Sequence, residues 1–263
     1  MRYLFIPALI MFFILPNLQA GNFVDMASKS GDRDFKMFME PNRIKIDVYG
    51  QENNGKMTII FNKKTQTAKM LNHSKKMYIE MDRASMKKMS ATMNSVMGKL
   101  EQQMAKMTPE MRKMMKEKMG HMLPKKNIAT PVKVKKVKSG VKVGKFSTNY
   151  LKATKGKKLL SEFWTASISE LKLEQDSFAI LHTMGAFFEE MSSSFGNRND
   201  TAAASFQTWK NIKGLPIKVI NYEKNKKTEL NLREAKIQKF SEATFSVPEG
   251  YTKQGMPGGA MLK

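Results

Sequence analysis

Arg43-Ile44-Lys45-Ile46-Asp47-Val48 alternates charged and aliphatic residues without a break, and a second such run, Lys56-Met57-Thr58-Ile59-Ile60-Phe61, follows the polar turn from Gly50 to Gly55. A period of two sends successive side chains to opposite faces, so each run predicts a strand with one apolar and one wet face. Past Asn62-Lys63-Lys64 come Thr67 to Leu71 and Lys75-Lys76-Met77-Tyr78-Ile79-Glu80-Met81. The connections are too short for crossovers, which makes the four runs an antiparallel meander.

From Ala84 the period becomes helical. Met86, Met89, Met93, Met97, Leu100, Met104, Met107, Met111, Met114, Met115, Met119 and Met122 recur mostly at steps of three and four, a stripe along one helix face. Thr108-Pro109-Glu110 interrupts the stripe with an N-cap, a first-turn proline and an acid. Two consecutive helices follow, 84–107 and 109–122, within a Met-rich insert over 84–123, closed by Gly120 and Pro124.

Residues 125–158 hold twelve lysines and no acid. Valines alternate with lysines on either side of Ser139-Gly140, which reads as a hairpin turn, and the doubled Lys135-Lys136 points to a bulge or an early strand end. Leu159 to Ile168 reads as the next strand. A further helix is expected from about Asp176, and its apolar residues Phe178, Ile180, Leu181, Met184, Phe187, Phe188, Met191 and Phe195 cover too wide an arc for one-sided burial. An exposed loop is expected over Ser192 to Ala204, then strands at Pro216 to Ile220, Thr228 to Ile237 and Phe245 to Val247, then a disordered tail over 252–263.

The ends and the charge bear on location. Arg2, the apolar run Leu4 to Leu15 and the Leu18-Gln19-Ala20 ending fit a secretory signal peptide, residues 1–20, leaving a single domain over 21–251. At about 12 residues the apolar run is shorter than the roughly 20 that a bilayer span needs. Export to a periplasm is the expectation. The chain of 263 residues carries a formal net charge of +23 and no cysteine, which excludes disulfides, thiolate metal sites and a cysteine nucleophile. Its basic residues are 39 Lys against 7 Arg, whereas base and phosphate recognition favours the planar guanidinium fork. Anionic surfaces such as lipid head groups are therefore expected as partners, and nucleic acid is not.

Several segments together carry a resemblance. They are the meander ending in Met77-Tyr78-Ile79-Glu80, the Met-rich insert, Ser139-Gly140-Val141-Lys142-Val143-Gly144-Lys145-Phe146 and Glu162-Phe163-Trp164-Thr165-Ala166. Gly214-Leu215-Pro216-Ile217-Lys218 and Phe245-Ser246-Val247-Pro248-Glu249-Gly250-Tyr251 complete the set. Over residues 23–252 the order resembles a family of exported bacterial proteins with a domain of unknown function similar to the periplasmic lipoprotein-carrier fold. The resemblance implies an α+β fold: a strongly curved antiparallel sheet, an unclosed β-barrel, with helices lying in its concave face. It also implies an apolar ligand or lipidated protein held between sheet and helices, and it supplies no catalytic residues.

No motif for hydrolysis or phosphate binding is present. Glu189 and Glu190 are adjacent on a helix, about 100° apart, and cannot face one bond; they read as solvated charges, and His182 as a core or edge histidine. A non-enzymatic protein without a cofactor is expected. The Met stripe has three readings: an adaptable packing seam, a cleft for apolar guests, or a soft-metal site for Cu(I) or Ag(I). The cleft would use Met93, Met97, Met104, Met107, Phe178, Leu181, Phe188 and Trp164, and the metal site Met111, Met115, Met119 and His121. Lys133, Lys135, Lys136 and Lys142 are either a solvated strand face or contacts to an anionic surface.

Overall fold

The computed structural model describes residues 19–29, 33–50, 55–111, 114, 132–194, 208, 211–223 and 226–255. Twelve strands form one curved, unclosed mixed sheet with a few helices, an α+β architecture. The first meander is β1 (Gln19–Ser28), β2 (Arg33–Met39), β3 (Arg43–Gly50), β4 (Gly55–Asn62), β5 (Thr67–Asn72) and β6 (Met77–Asp82). The second comprises β7 (Val132–Val143), β8 (Phe146–Lys155), β9 (Lys158–Ala166), β10 (Leu215–Glu223) and β11 (Lys226–Phe240). β1 pairs with both β2 and β11, and so joins the two meanders into one sheet.

The turns are built by their own residues. Asn62 Oδ1 accepts hydrogen bonds from the Lys64 and Thr65 amides, and Asn72 Oδ1 does the same for the Lys75 amide, which closes the β4–β5 and β5–β6 connections. Asp82 caps α1 (Arg83–Ala105) by accepting from the Ser85 amide at 2.6 Å, so the helix springs directly from the end of β6. At Lys106 to Thr108 the helix breaks as the Thr-Pro signal predicts, and Pro109 to Met111 is helical again.

The Ser139-Gly140 hairpin is corrected: β7 runs straight through it. Gly140, at φ +69°, lies where the β7–β8 ladder shifts register between Lys138 and Val141, and a second shift lies between Lys136 and Lys138. The hairpin turn is Gly144-Lys145, between the paired Val143 and Phe146, with Gly144 at φ +57°.

One face of the sheet, here the inner face, is covered by α2 (Gln175–Phe178) and α3 (Ile180–Ser194). Its apolar cluster takes in Met81 of β6 and Val132 of β7, strands near opposite ends of the sheet, together with Phe178, Leu181, Met184, Phe187 and Phe188. Only a sheet that curls round the helices brings both ends into one cluster. α3 reaches Ser194, so residues 192–194 are helical where a loop was expected, and 195–204 lie outside the described residues.

The outer face carries a second cluster: Phe23, Phe38, Ile60, Leu71, Tyr78 and Phe240. Beyond β11 a 3-10 turn, Glu242–Phe245, replaces the expected strand, and Phe245, Val247 and Tyr251 cover these side chains. The chain then forms β12 (Thr252–Gln254), parallel to β6, with the Thr252 amide donating to the Lys76 carbonyl. Residues 252–254 are therefore a strand and not a disordered tail, and the sheet is mixed, with ten antiparallel pairings and one parallel. The parallel direction follows from a return across the outer face, which is a crossover and not a hairpin. Residues 256–263 and 1–18 lie outside the described residues, while Gln19 and Ala20 of the expected signal peptide open β1.

Candidate functional site: the inner face beneath α3

Alternation along the strands sends Val24 and Met26, Met37 and Met39, Ile44 and Ile46, and Phe61 inward, where all are buried. α3 lays its wide apolar arc on them. Phe187 meets Phe61 with ring centroids 5.2 Å apart, and Phe188 meets Phe187 edge to face at 5.5 Å. Six buried methionines, Met26, Met37, Met39, Met81, Met86 and Met184, come from three strands and two helices around this contact. Unbranched thioethers fill irregular gaps in such a cluster.

Two directed contacts flank the helices. Asn22 on β1 is fully buried; its amide donates to the Glu174 carbonyl at 2.7 Å and its Oδ1 accepts from the Glu174 amide at 2.8 Å. That two-point clamp fixes the chain just before α2. At the far side Arg83 of α1 pairs with Glu190 of α3 at 2.9 Å, an exposed pair worth little on its own. His182 meets Phe178 edge to face at 6.1 Å and is half-buried, as expected of an edge histidine.

Phe178, Leu181 and Phe188 come together in the inner cluster. Met104 is buried and Met107 half-buried, both outside that cluster, and the side chains of Met93 and Met97 lie outside the described residues. Trp164 is on the other face and leaves the proposed cleft set: its neighbour Phe163 points inward, and a strand cannot send adjacent residues the same way. There Trp164 stacks on Tyr150 at 4.9 Å, and Lys218 Nζ lies 5.3 Å from its ring. Beside them Glu162 accepts from the hydroxyls of Tyr150 and Tyr222. Burial alone would raise the Glu162 carboxyl, but the two phenols and Lys152 hold it below its usual range, and the same bond pushes Tyr222 up to about 12. Phe61, Met26, Met37 and Met39 were missed as lining residues; the period-two pattern Phe35-Lys36-Met37-Phe38-Met39 was the signal for β2.

Lys133, Lys135, Lys136 and Lys142 are all exposed on β7. Met111 is 50% exposed, while Met115, Met119 and His121 lie outside the described residues. Among the described residues, no group of three His, Asp or Glu side chains could hold a metal ion, and no helix is long and apolar enough to cross a membrane.

The Gly-Leu-Pro segment now has a physical reason. Gly214 sits at φ +86°, and a Cβ there would lie 2.3 Å from the Ala166 carbonyl oxygen, so only glycine lets β10 start against the end of β9. No family model and no curated protein matches the chain. Among solved structures it is similar to an uncharacterized conserved protein from Thermus thermophilus, with 7% identity and a TM-score of 0.42 over 90% of this chain and 91% of that one.

Proposed function

We propose that the protein is a non-enzymatic carrier that binds an apolar guest, a lipid or the acyl part of a lipidated protein, beneath α2 and α3, and that it works in the periplasm after export. The observation that carries the reading is how the inner face is covered. α3 lies on the sheet through the buried Leu181, Met184, Phe187 and Phe188, with the Asn22 clamp ahead of α2 and the exposed Arg83–Glu190 pair at its far side. Apolar contact is non-directional, so an acyl chain can take the place of the α3 side chains against the sheet. The end strands of the sheet, β7 and β12, do not pair with each other, and the helices can move without breaking a strand ladder. The signal-peptide pattern and the resemblance to the lipoprotein-carrier fold support the same reading.

The test is binding of a fluorescent fatty-acid probe, with mass spectrometry of an organic extract of the purified protein. Asn22→Ala removes the clamp before α2 and is expected to speed probe uptake severalfold. No probe binding and no extracted lipid would overturn the proposal. One observation favours a second reading: Met111 and Met114, three residues apart, expose 50% and 56% of their surface, so soft thioethers face solvent. Cu(I) binding that is lost when Met111, Met115 and Met119 become leucine would put the soft-metal reading in place of the carrier.

A further inference from the structure

The geometry points to β7 as the edge by which the protein docks on an anionic lipid surface, with the open seam of the sheet brought to the head-group layer. β7 ends the sheet, and its 12 residues make a lip about 37 Å long at about 3.4 Å per residue. Lys133, Lys135, Lys136, Lys138 and Lys142 are all exposed along it, and none makes an ion pair among the described residues. No acid occurs between Val132 and Leu160.

The register sets one of these charges against the ladder. Lys135 stands directly opposite Lys152, a like-charge pair that weakens a ladder. The two register shifts fan the lysines round the edge. Lys136 pairs with the inward Leu151, whereas Lys138 pairs with Tyr150, which stacks on Trp164 on the outer face. An approach edge-on meets all of them, and the four from Lys133 to Lys138 lie within about 7 Å of a neighbour along the strand, inside a Debye length of about 8 Å, with Lys142 about 14 Å further on. Val137, 52% exposed between them, offers an apolar contact at the same level.

A partner strand is the poorer occupant, since it would have to keep register across two bulges. A lipid head-group layer requires no register. Val132 and Val134 of the same strand pack with the inner cluster, so docking by β7 presents the lip of the apolar face to the bilayer. The inference concerns the surface alone and stands whether or not a guest binds beneath α3.

The test is co-sedimentation of the full chain with phosphatidylcholine vesicles, with and without phosphatidylglycerol, across ionic strength. Binding to the anionic vesicles only, falling steeply with salt, is expected. Charge reversal by Lys133→Glu, Lys135→Glu, Lys138→Glu and Lys142→Glu is expected to weaken it more than about tenfold. The same number of reversals on α1 and just beyond it, Lys87→Glu, Lys88→Glu, Lys99→Glu and Lys106→Glu, should change it less than about threefold. Circular dichroism checks the fold, and lysine-to-glutamine versions of both sets replace any variant that does not fold. Equal losses from the two sets would reduce the effect to net charge and overturn the proposal, as would equal binding to neutral vesicles. An acidic peptide that binds β7 when anionic vesicles do not would put a protein partner in the membrane's place.

Discussion

The two ends of the sheet answer one problem in opposite ways. At the β6 end, a three-residue strand from the C-terminal segment caps the edge, and lysines of β4, β5 and β12 are paired: Lys56 with Asp47 at 2.9 Å, Lys69 with Glu80 at 3.5 Å and Lys253 with Glu80 at 2.8 Å, while Lys75 and Lys76 of the β5–β6 turn are exposed. At the β7 end no described strand caps the edge, and its five lysines have no acid to pair with among the described residues. Both devices stop edge-to-edge aggregation. The second concentrates its charge on one strand, and the difference separates an end strapped by the chain itself from the proposed docking end.

The structural end is held by a directed chain of hydrogen bonds. The Tyr251 hydroxyl donates to His73 Nδ1 at 2.7 Å, and His73 Nε2 lies 2.7 Å from Thr58 Oγ1. Thr58 is buried and gives its one proton to the Asp47 carboxylate, so it must accept from His73, which fixes the Nε2–H tautomer. Burial lowers the His73 pKa first, and the positive charges of Lys56 and Lys45 lower it further against the opposing pull of Asp47.

Phe245→Ala tests the comparison most severely. It removes the buried ring that covers Phe240 edge to face at 5.8 Å and carries the Arg43 guanidinium at 4.6 Å. A loss of about 3 to 5 kcal/mol in urea unfolding is expected, whereas Val137→Ala on β7 should cost less than about 0.5 kcal/mol. Similar losses at the two ends would erase the distinction. Tyr251→Phe should cost about 1 kcal/mol, and hydrogen exchange should quicken at 252–254 and along the free side of β6 while β7 is unchanged.

The smallest expected effect is on pH dependence. His73 binds its proton less readily in the folded chain than at its ordinary value of 6.5, so the unfolded state holds more protons in the window just below that value. Stability contributed by neutral His73 is therefore fully present above pH 6.5 and is lost as pH falls through the lower folded value. His73→Gln should flatten that part of a Tm-against-pH curve. An unaltered slope would remove His73 from the strapped end's account.

Legibility followed the range of the information. β3 to β6 were readable because a period of two and Asx turns are local properties, and the N-terminal half of the Met stripe is α1 for the same reason. Ser139-Gly140 and Gly144-Lys145 look alike as turn signals, and pairing with β8 chose between them. The Trp164 error was avoidable, since Phe163 and Trp164 are adjacent in a strand and one had to face outward. Phe245-Ser246-Val247 has strand propensity but lies on an apolar patch drawn from β1, β2, β4, β5, β6 and β11, a surface that exists only once the sheet has formed.

The sequence by itself determined the α+β class, the strand and helix periods of most segments, the lysine run without acids and the absence of thiol chemistry, because each is written within a few residues or in composition. Tertiary structure alone decided that β1 joins the two meanders, that the C-terminal segment returns to cap β6, and that the lysine run falls on the end strand of the described sheet. Those are pairings between residues as far apart as Gln19 and Phe240. No local pattern records which strand a given strand will meet, since backbone donors and acceptors are the same in all of them and the choice rests on how the whole apolar surface is buried.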